Sequence, residues 1–256
     1  MIYFVGIERD ITKEKEIDRA KSEFVSLASH QLRTPATGVK QFISMLLEGY
    51  AGNLTTEQEE FVRDAYESNE RQLRIIEDLL ETARIEAGTL TINPSLFDLI
   101  NLLDGVILEQ KMIFDDKKQM INFIRDSNPI MVNADKDKIR MVIDNLVNNA
   151  NKYTPVGGKV TIKVKEDDEN VTISIIDNGI GISEEDQKGL FVRFDRIQNK
   201  EAQNIAGTGL GLYIAKKIID LHRGRIEINS KVDKGTRFDI ILPRKRSKNG
   251  QKNSHS

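Results

Sequence analysis

Phe24–Glu48 reads FVSLASHQLRTPATGVKQFISMLLE, and the spacing of its apolar residues decides the first half of the fold. Phe24, Ala28, Leu32, Val39, Phe42 and Leu46 recur at steps of three, four or seven, which marks one stripe along a long helix. His30 stands two residues past Ala28, about 200° around an ideal helix, so it points away from that stripe. Pro35 lies inside the same pattern. It cannot donate to the Gln31 carbonyl and its ring crowds that carbonyl, so the helix should bend beside His30. Taken alone, His30 is most simply a surface histidine on a bundle helix; the segments downstream reverse that reading.

Upstream, Met1–Ile7 reads as a strand, and ERDITKEKEIDRAKSE (8–23) is charged and helical without a break. Downstream, GYAGNL (49–54) carries two glycines and an asparagine, the composition of a turn. A second helix follows, with capping-box spacing at Thr56 and Glu59, an apolar stripe of Leu73, Ile76, Leu80 and Ala83, and an end near Gly88. One antiparallel hairpin cannot bury its stripe alone. Pairing with a second copy as a four-helix bundle solves this, so a homodimer is expected.

After Asn93-Pro94 the pattern changes. Val160, Ile162 and Val164 alternate with Thr161, Lys163 and Lys165, Val171, Ile173 and Ile175 alternate likewise, and Phe238, Ile240 and Leu242 repeat the alternation. Helices around 98–113, 136–152 and 209–222 supply a second layer, which predicts a two-layer α/β sandwich with a mixed sheet. From Arg244 the chain is polar and basic, as a solvated, disordered end would be.

With 256 residues and 39% hydrophobic composition the chain is long enough for one large or two ordinary globular domains. No run approaches the roughly 18 apolar residues of a membrane span, and the N-terminus lacks a signal-peptide pattern. A soluble, cytoplasmic protein with no membrane segment is expected. A net charge of -2 gives no basic footprint for nucleic acid. The absence of cysteine excludes thiol catalysis and cysteine metal sites. His30, His222 and His255 show no metal-ligand spacing.

Neither GxxxxGK[ST] nor a GxGxxG following a strand occurs, so a P-loop and a Rossmann site are not indicated. A different phosphate cradle is offered by Gly207-Thr208-Gly209-Leu210-Gly211, which opens a helix with a core stripe of Leu210, Ile214, Ile218 and Leu221. Free N–H groups and the helix dipole there favour a polyphosphate. On the helix from Lys136, Ile139, Ile143, Leu146 and Ala150 turn inward, while Asn145, Asn149 and Lys152 share another face. Asparagine is a poor mid-helix residue, but amide oxygens complete a Mg²⁺ shell otherwise filled by water and phosphate. The strand VTISIID delivers Asp177 at its tip, before Asn178-Gly179-Ile180-Gly181-Ile182 and a helix start at Ser183. A carboxylate there can accept from the adenine amino group, which would select ATP over GTP.

In this order these segments resemble the sensor histidine kinases of two-component signalling, over nearly the whole chain from about Lys13 to Pro243. ASHQLRTP is similar to the family's phosphoacceptor box, NLVNNANKYTP to its asparagine box, DNGIGI to its first glycine box, LFVRFDRI to its phenylalanine box and GTGLGLYIAKKI to its second glycine box. The resemblance implies a multidomain protein, a helical hairpin forming a dimeric four-helix bundle and then a Bergerat-type ATP-binding sandwich. Expected boundaries are 13–89 for dimerisation and phosphotransfer, 94–243 for ATP binding and 244–256 for the tail. Residues 1–12, MIYFVGIERDIT, resemble the end of a PAS sensor domain.

By this resemblance the chain is a protein-histidine kinase that autophosphorylates His30 from ATP with Mg²⁺ and passes the phosphoryl group to an aspartate of a response regulator. His30 is the phosphoacceptor through Nε2, Asn149 the chief Mg²⁺ ligand, and Asn145 and Lys152 assist. Tyr153, Asp177, Gly179, Gly181, Arg193, Gly207, Thr208, Gly209, Leu210 and Gly211 would line the nucleotide. Phe191 and Phe194 would anchor a lid between about Asn199 and Ala206, Thr34 matches the position that orients water for regulator dephosphorylation, and His222 matches a structural position. Gln31 departs from the family, which commonly has an acidic residue beside the histidine. Glutamine accepts no proton but can hold Nδ1–H and leave Nε2 free, so slow autophosphorylation is expected. A binding module or regulator phosphatase is the competing reading. A chaperone- or topoisomerase-like ATP clamp would explain the C-terminal motifs but not HQLRTP on a bundle helix.

Overall fold

The first helix, α1 (Thr12–Leu47), runs through Pro35, and the turn after it is closed by Gly49 and Tyr50 N–H groups on the Leu46 and Met45 carbonyls. A second helix, α2 (Thr56–Glu86), returns antiparallel to α1. Arg33 meets Glu77 and Lys40 meets Glu70, so position falls on α2 as it rises on α1. Ala36, Ile76 and Leu80 are buried between them, with Ala28 and Leu73 packed alongside. Leu32, Val39 and Phe42 of the α1 stripe stay 48%, 48% and 71% exposed in the single chain. The α2 cap is Thr55, one residue before the expected Thr56. Its hydroxyl accepts from Gln58 N–H while Gln58 Oε1 accepts from Thr55 N–H. The two possible boxes are offset by one residue and satisfy equivalent donors, so the pattern alone does not choose between them.

The computed structural model describes residues 12–125, 129–195 and 207–244, with the backbone alone for residues 12–24, Ser26 and His30. The expected N-terminal strand and PAS-like remnant, the segment Asn199–Ala206 and the tail beyond Arg244 lie outside the described residues. Arg244 itself belongs to the fold: its N–H donates to the Glu169 carbonyl and its guanidinium pairs with Glu166. The chain divides into two compact units, Met1–Leu90 and Thr91–Ser256. Among the described residues no helix is long and apolar enough to cross a membrane.

The second unit contains β1 (Ser95–Asp98), α3 (Leu99–Asp116), β2 (Met120–Ile124), β3 (Met131–Ala134), α4 (Lys136–Tyr153), β4 (Lys159–Glu166), β5 (Asn170–Asp177), α5 (Glu184–Gly189), α6 (Gly211–Leu221), β6 (Arg225–Lys231) and β7 (Gly235–Pro243). Five strands form one sheet in the order β2-β4-β5-β7-β6. The β2–β4 pair is parallel and the other pairs antiparallel; β1 and β3 make a separate antiparallel pair. The expected inward residues of β4, β5 and β7 are all buried, as are Ile139, Ile143, Leu146 and Ala150 of α4. This is the two-layer mixed-sheet sandwich that the alternating patterns predict, a Bergerat-type fold preceded by helices. On α6, Leu210, Ile214 and Ile218 are buried but Leu221 is 42% exposed. The helix ends at that residue, and Ala215 and Ile219 complete the inward face instead.

Candidate nucleotide site

Asp177 closes β5 and is buried. Its Oδ1 accepts the Gly179 N–H at 2.8 Å and the Thr236 N–H at 3.2 Å, while Oδ2 has no partner among the described residues. Burial pushes the carboxyl above the ordinary carboxylate value, and the N–H groups of Gly179 and Thr236 offset only part of that rise. The following loop rests on the end of α4: Ile180 N–H donates to the Tyr153 carbonyl at 3.2 Å. A Cβ on Gly179 would lie 2.3 Å from that same oxygen, so only glycine permits the approach. On the other side the Asp233 N–H donates to the Ile180 carbonyl, and Gly181 sits against the Lys231 carbonyl.

α4 begins at Asp135, whose Oδ1 accepts from Lys138 N–H and whose Oδ2 accepts from Asn93 N–H. Burial raises its carboxyl pKa, but those two N–H bonds and the nearby Lys138 bring the net value below the ordinary one. Further along, the Asn145 Nδ2 faces the Gly211 carbonyl at 3.5 Å. Asn149, one turn on and half-buried, has no side-chain partner among the described residues. Lys152 continues the same face and is exposed.

The glycine-rich turn enters α6 at Gly211, two residues later than expected. Thr208 Oγ1 accepts from Leu210 N–H at 3.2 Å. Gly209, at φ +70°, is in the left-handed region, and its carbonyl accepts from Phe194 N–H at 3.1 Å. Phe194 is 61% exposed at φ +59°, where the chain turns onto Gly209. Phe191 is half-buried and Arg193 exposed.

The structure thus brings Asn145 to Gly211, Tyr153 to Gly179 and Ile180, and Asp177 to Gly179. His30, Gln31 and Thr34 belong to α1 in the other unit, where Gln31 and Thr34 are exposed. His222 Nε2 accepts the Asp135 N–H at 2.9 Å, so Nδ1 carries the proton and donates to the Ile218 carbonyl at 2.8 Å. It fastens the end of α6 to the start of α4, in keeping with a structural position. Gln119 and Asn151, not among the expected site residues, are buried and bonded to each other. No local pattern announces a contact between amides 32 residues apart.

Residues 20–88 match the His Kinase A (phospho-acceptor) domain. Residues 134–246 match the histidine kinase-, DNA gyrase B- and HSP90-like ATPases. The chain therefore carries the two domains of a sensor histidine kinase. Sensor histidine kinase WalK of Bacillus subtilis (strain 168) is 34% identical over 245 residues, which cover 94% of this chain and 39% of that protein. Sensor protein kinase WalK of Staphylococcus aureus is 34% identical over 244 residues, 94% of this chain and 58% of that one. The chain thus spans less than two thirds of either relative. Full-length ShkA in complex with AMPPNP superposes with a TM-score of 0.71 at 26% identity, covering 87% of this chain and 46% of that one. Acinetobacter baumannii histidine kinase AdeS superposes with a TM-score of 0.58 at 25% identity, covering 84% of this chain and 98% of that one.

Proposed function

We propose that this chain autophosphorylates His30 from ATP and transfers the phosphoryl group to an aspartate of a response regulator. The observation that carries this is one unit in which a buried carboxylate, an asparagine-bearing helix face and a glycine-rich helix start converge, in a chain that also carries HQLRTP on α1. Asp177 Oδ2 accepts the adenine amino group; guanine has a carbonyl at that place, so GTP is disfavoured. The N–H groups at Gly207–Gly211 and the N-terminus of α6 hold the phosphates.

The site also suits Mg²⁺. Asn149 is a half-buried amide left without a protein partner among the described residues, and its oxygen is a hard donor of the kind Mg²⁺ takes. Asn149 would be the main ligand, Asn145 would assist, and Lys152 would add charge toward the phosphates. The ion supplies charge neutralisation on the triphosphate. Neutral His30, protonated on Nδ1, attacks the γ-phosphorus through Nε2, the β–γ bridging bond breaks and ADP leaves. Gln31 hydrogen-bonds Nδ1–H and fixes this tautomer without accepting the proton. In the transfer step a regulator carboxylate oxygen displaces His30 Nε2 from phosphorus. Thr34 orients water when the regulator is dephosphorylated. The exposed α1 stripe supports assembly as a homodimer.

Incubation with γ-labelled ATP and Mg²⁺ should give acid-labile, alkali-stable label that is absent from His30→Ala. No label with ATP binding intact would instead support the binding-module or phosphatase reading.

A further inference from the structure

Two buried amides have no part in the chemistry above. Gln119, just after α3, is 4% exposed, and Asn151, in the last turn of α4, is 5% exposed. Asn151 Nδ2 donates to Gln119 Oε1 at 2.7 Å. Gln119 Nε2 in turn faces the carbonyls of Asn151, Thr154 and Pro155 at 3.1, 2.6 and 3.3 Å. Lys117 Nζ adds a donor to the Asn151 carbonyl at 2.9 Å, and the Gly157 N–H returns to the Lys117 carbonyl. The last carbonyls of a helix lack partners inside it, and burying them unpaired is costly. Gln119 is therefore a cap on α4 supplied from another element. Its own backbone is set by the left-handed turn at Lys118, φ +52°, and by its N–H on the Phe114 carbonyl at 2.8 Å.

The capped turn carries the loop that holds Asp177. Tyr153, between the capped Asn151 and Thr154, is the residue whose carbonyl takes the Ile180 N–H and abuts Gly179. Past the turn, Lys159 N–H donates to Asn178 Oδ1 at 2.7 Å and Asn178 N–H donates to the Lys159 carbonyl. Loop 177–181 thus lies on the α4–β4 connection on one side and on the β6–β7 hairpin on the other. If the last turn of α4 shifts, the loop loses its acceptor at Tyr153 and Asp177 Oδ2 moves with it.

We propose that Gln119, assisted by Asn151, is a positioning residue for adenine recognition, acting through the Tyr153 carbonyl on the loop of Asp177. This rests on Asp177 being the adenine-reading carboxylate. Binding of ATP and of purine riboside 5′-triphosphate, which lacks the 6-amino group, should be compared on the full chain. Gln119→Leu should weaken ATP about tenfold, the value of one lost buried hydrogen bond. The amino-less nucleotide should be weakened by less than about twofold, so that the preference for ATP shrinks. Asn151→Leu keeps the Gln119 donors on Thr154 and Pro155 and should give a smaller loss, about threefold, in the same sense. It carries the test if Gln119→Leu does not fold. Equal losses for both nucleotides, or no loss, with the wild-type preference for ATP intact, would remove this role from Gln119 and leave Asp177 standing. A wild-type chain with no preference for ATP over the amino-less nucleotide would remove the adenine reading of Asp177 and this role with it.

Discussion

Asp177 is held by two N–H groups on one oxygen and left open on the other, so a single substitution separates its structural bonds from the adenine contact proposed for it. Asn in its place can still accept from Gly179 and Thr236 through Oδ1, but presents an amide donor to the adenine amino group. Asp177→Asn should therefore fold normally and bind ATP roughly 10- to 100-fold more weakly, the range for a hydrogen bond to a charged group. Isothermal titration would show it, and unchanged affinity would exclude Asp177 from adenine recognition. The pH dependence has two opposite signs. Burial raises the folded-state pKa above the ordinary 3.8, so the folded unit binds this proton more tightly than the unfolded chain does. Asp177's contribution to stability therefore improves as pH falls through its raised pKa. ATP affinity falls over the same interval, because the protonated Oδ2 becomes a donor. A titration in which affinity and this stability contribution decline together would contradict the assignment. Gln31 gives a second residue-level prediction: Gln31→Glu should speed autophosphorylation of His30 by up to about 10²- to 10⁴-fold, the usual contribution of a general base. A rate that stays level or falls would show that position 31 needs no acid here.

Helix ends rather than helix middles fix how the elements meet. Asp135 caps α4, accepts from Asn93 and offers its own N–H to His222 at the end of α6, while Gln119 closes the other end of α4. At α2 the reciprocal Thr55–Gln58 box is exposed and isolated, so its worth is measurable without side effects: Thr55→Ala should destabilise the chain by about 1 kcal/mol. Chemical denaturation followed by helix circular dichroism would register this, and a change confined to Thr56→Ala would return the cap to Thr56. The long helices and the alternating strands β4, β5 and β7 are legible because each repeats its period several times. β1 and β3, four residues each, show at most two alternations and are found only by their pairing. The box residues Asn145, Asp177 and Gly209 are legible because their types are odd for their places: amides in mid-helix, an acid at a strand tip, glycine before a helix. Gln119 and Asn151 carry no such oddity, since an amide near a helix end is ordinary until its distant partner is known. Leu221 fails for a related reason: the period continues in sequence beyond the point where the helix stops.

The unit formed by α1 and α2 buries little of its own apolar surface. Leu32, Val39 and Phe42 on α1 and Ile75 and Leu79 on α2 are 39–71% exposed, at spacings that keep them in rows along each helix. Monomeric proteins seldom leave such rows open to water, and two copies related by a two-fold axis would cover both at once. Phe42 is the largest and most exposed of these residues. Burying one phenylalanine contributes about 1.5–3 kcal/mol, and two-fold symmetry doubles each substitution, so Phe42→Lys should weaken dimerisation by about 3–6 kcal/mol, or roughly 10²- to 10⁴-fold. Sedimentation equilibrium on the whole chain should show a dimer for the wild type and mostly monomer for the variant at the same micromolar concentration. ATP affinity should be unchanged, because Asn145, Asp177 and the Gly207–Gly211 turn all belong to the Thr91–Ser256 unit. A wild-type chain that sediments as a monomer at all concentrations would refute the bundle. A variant that loses ATP binding along with the dimer would mean that the nucleotide site is not complete within that unit.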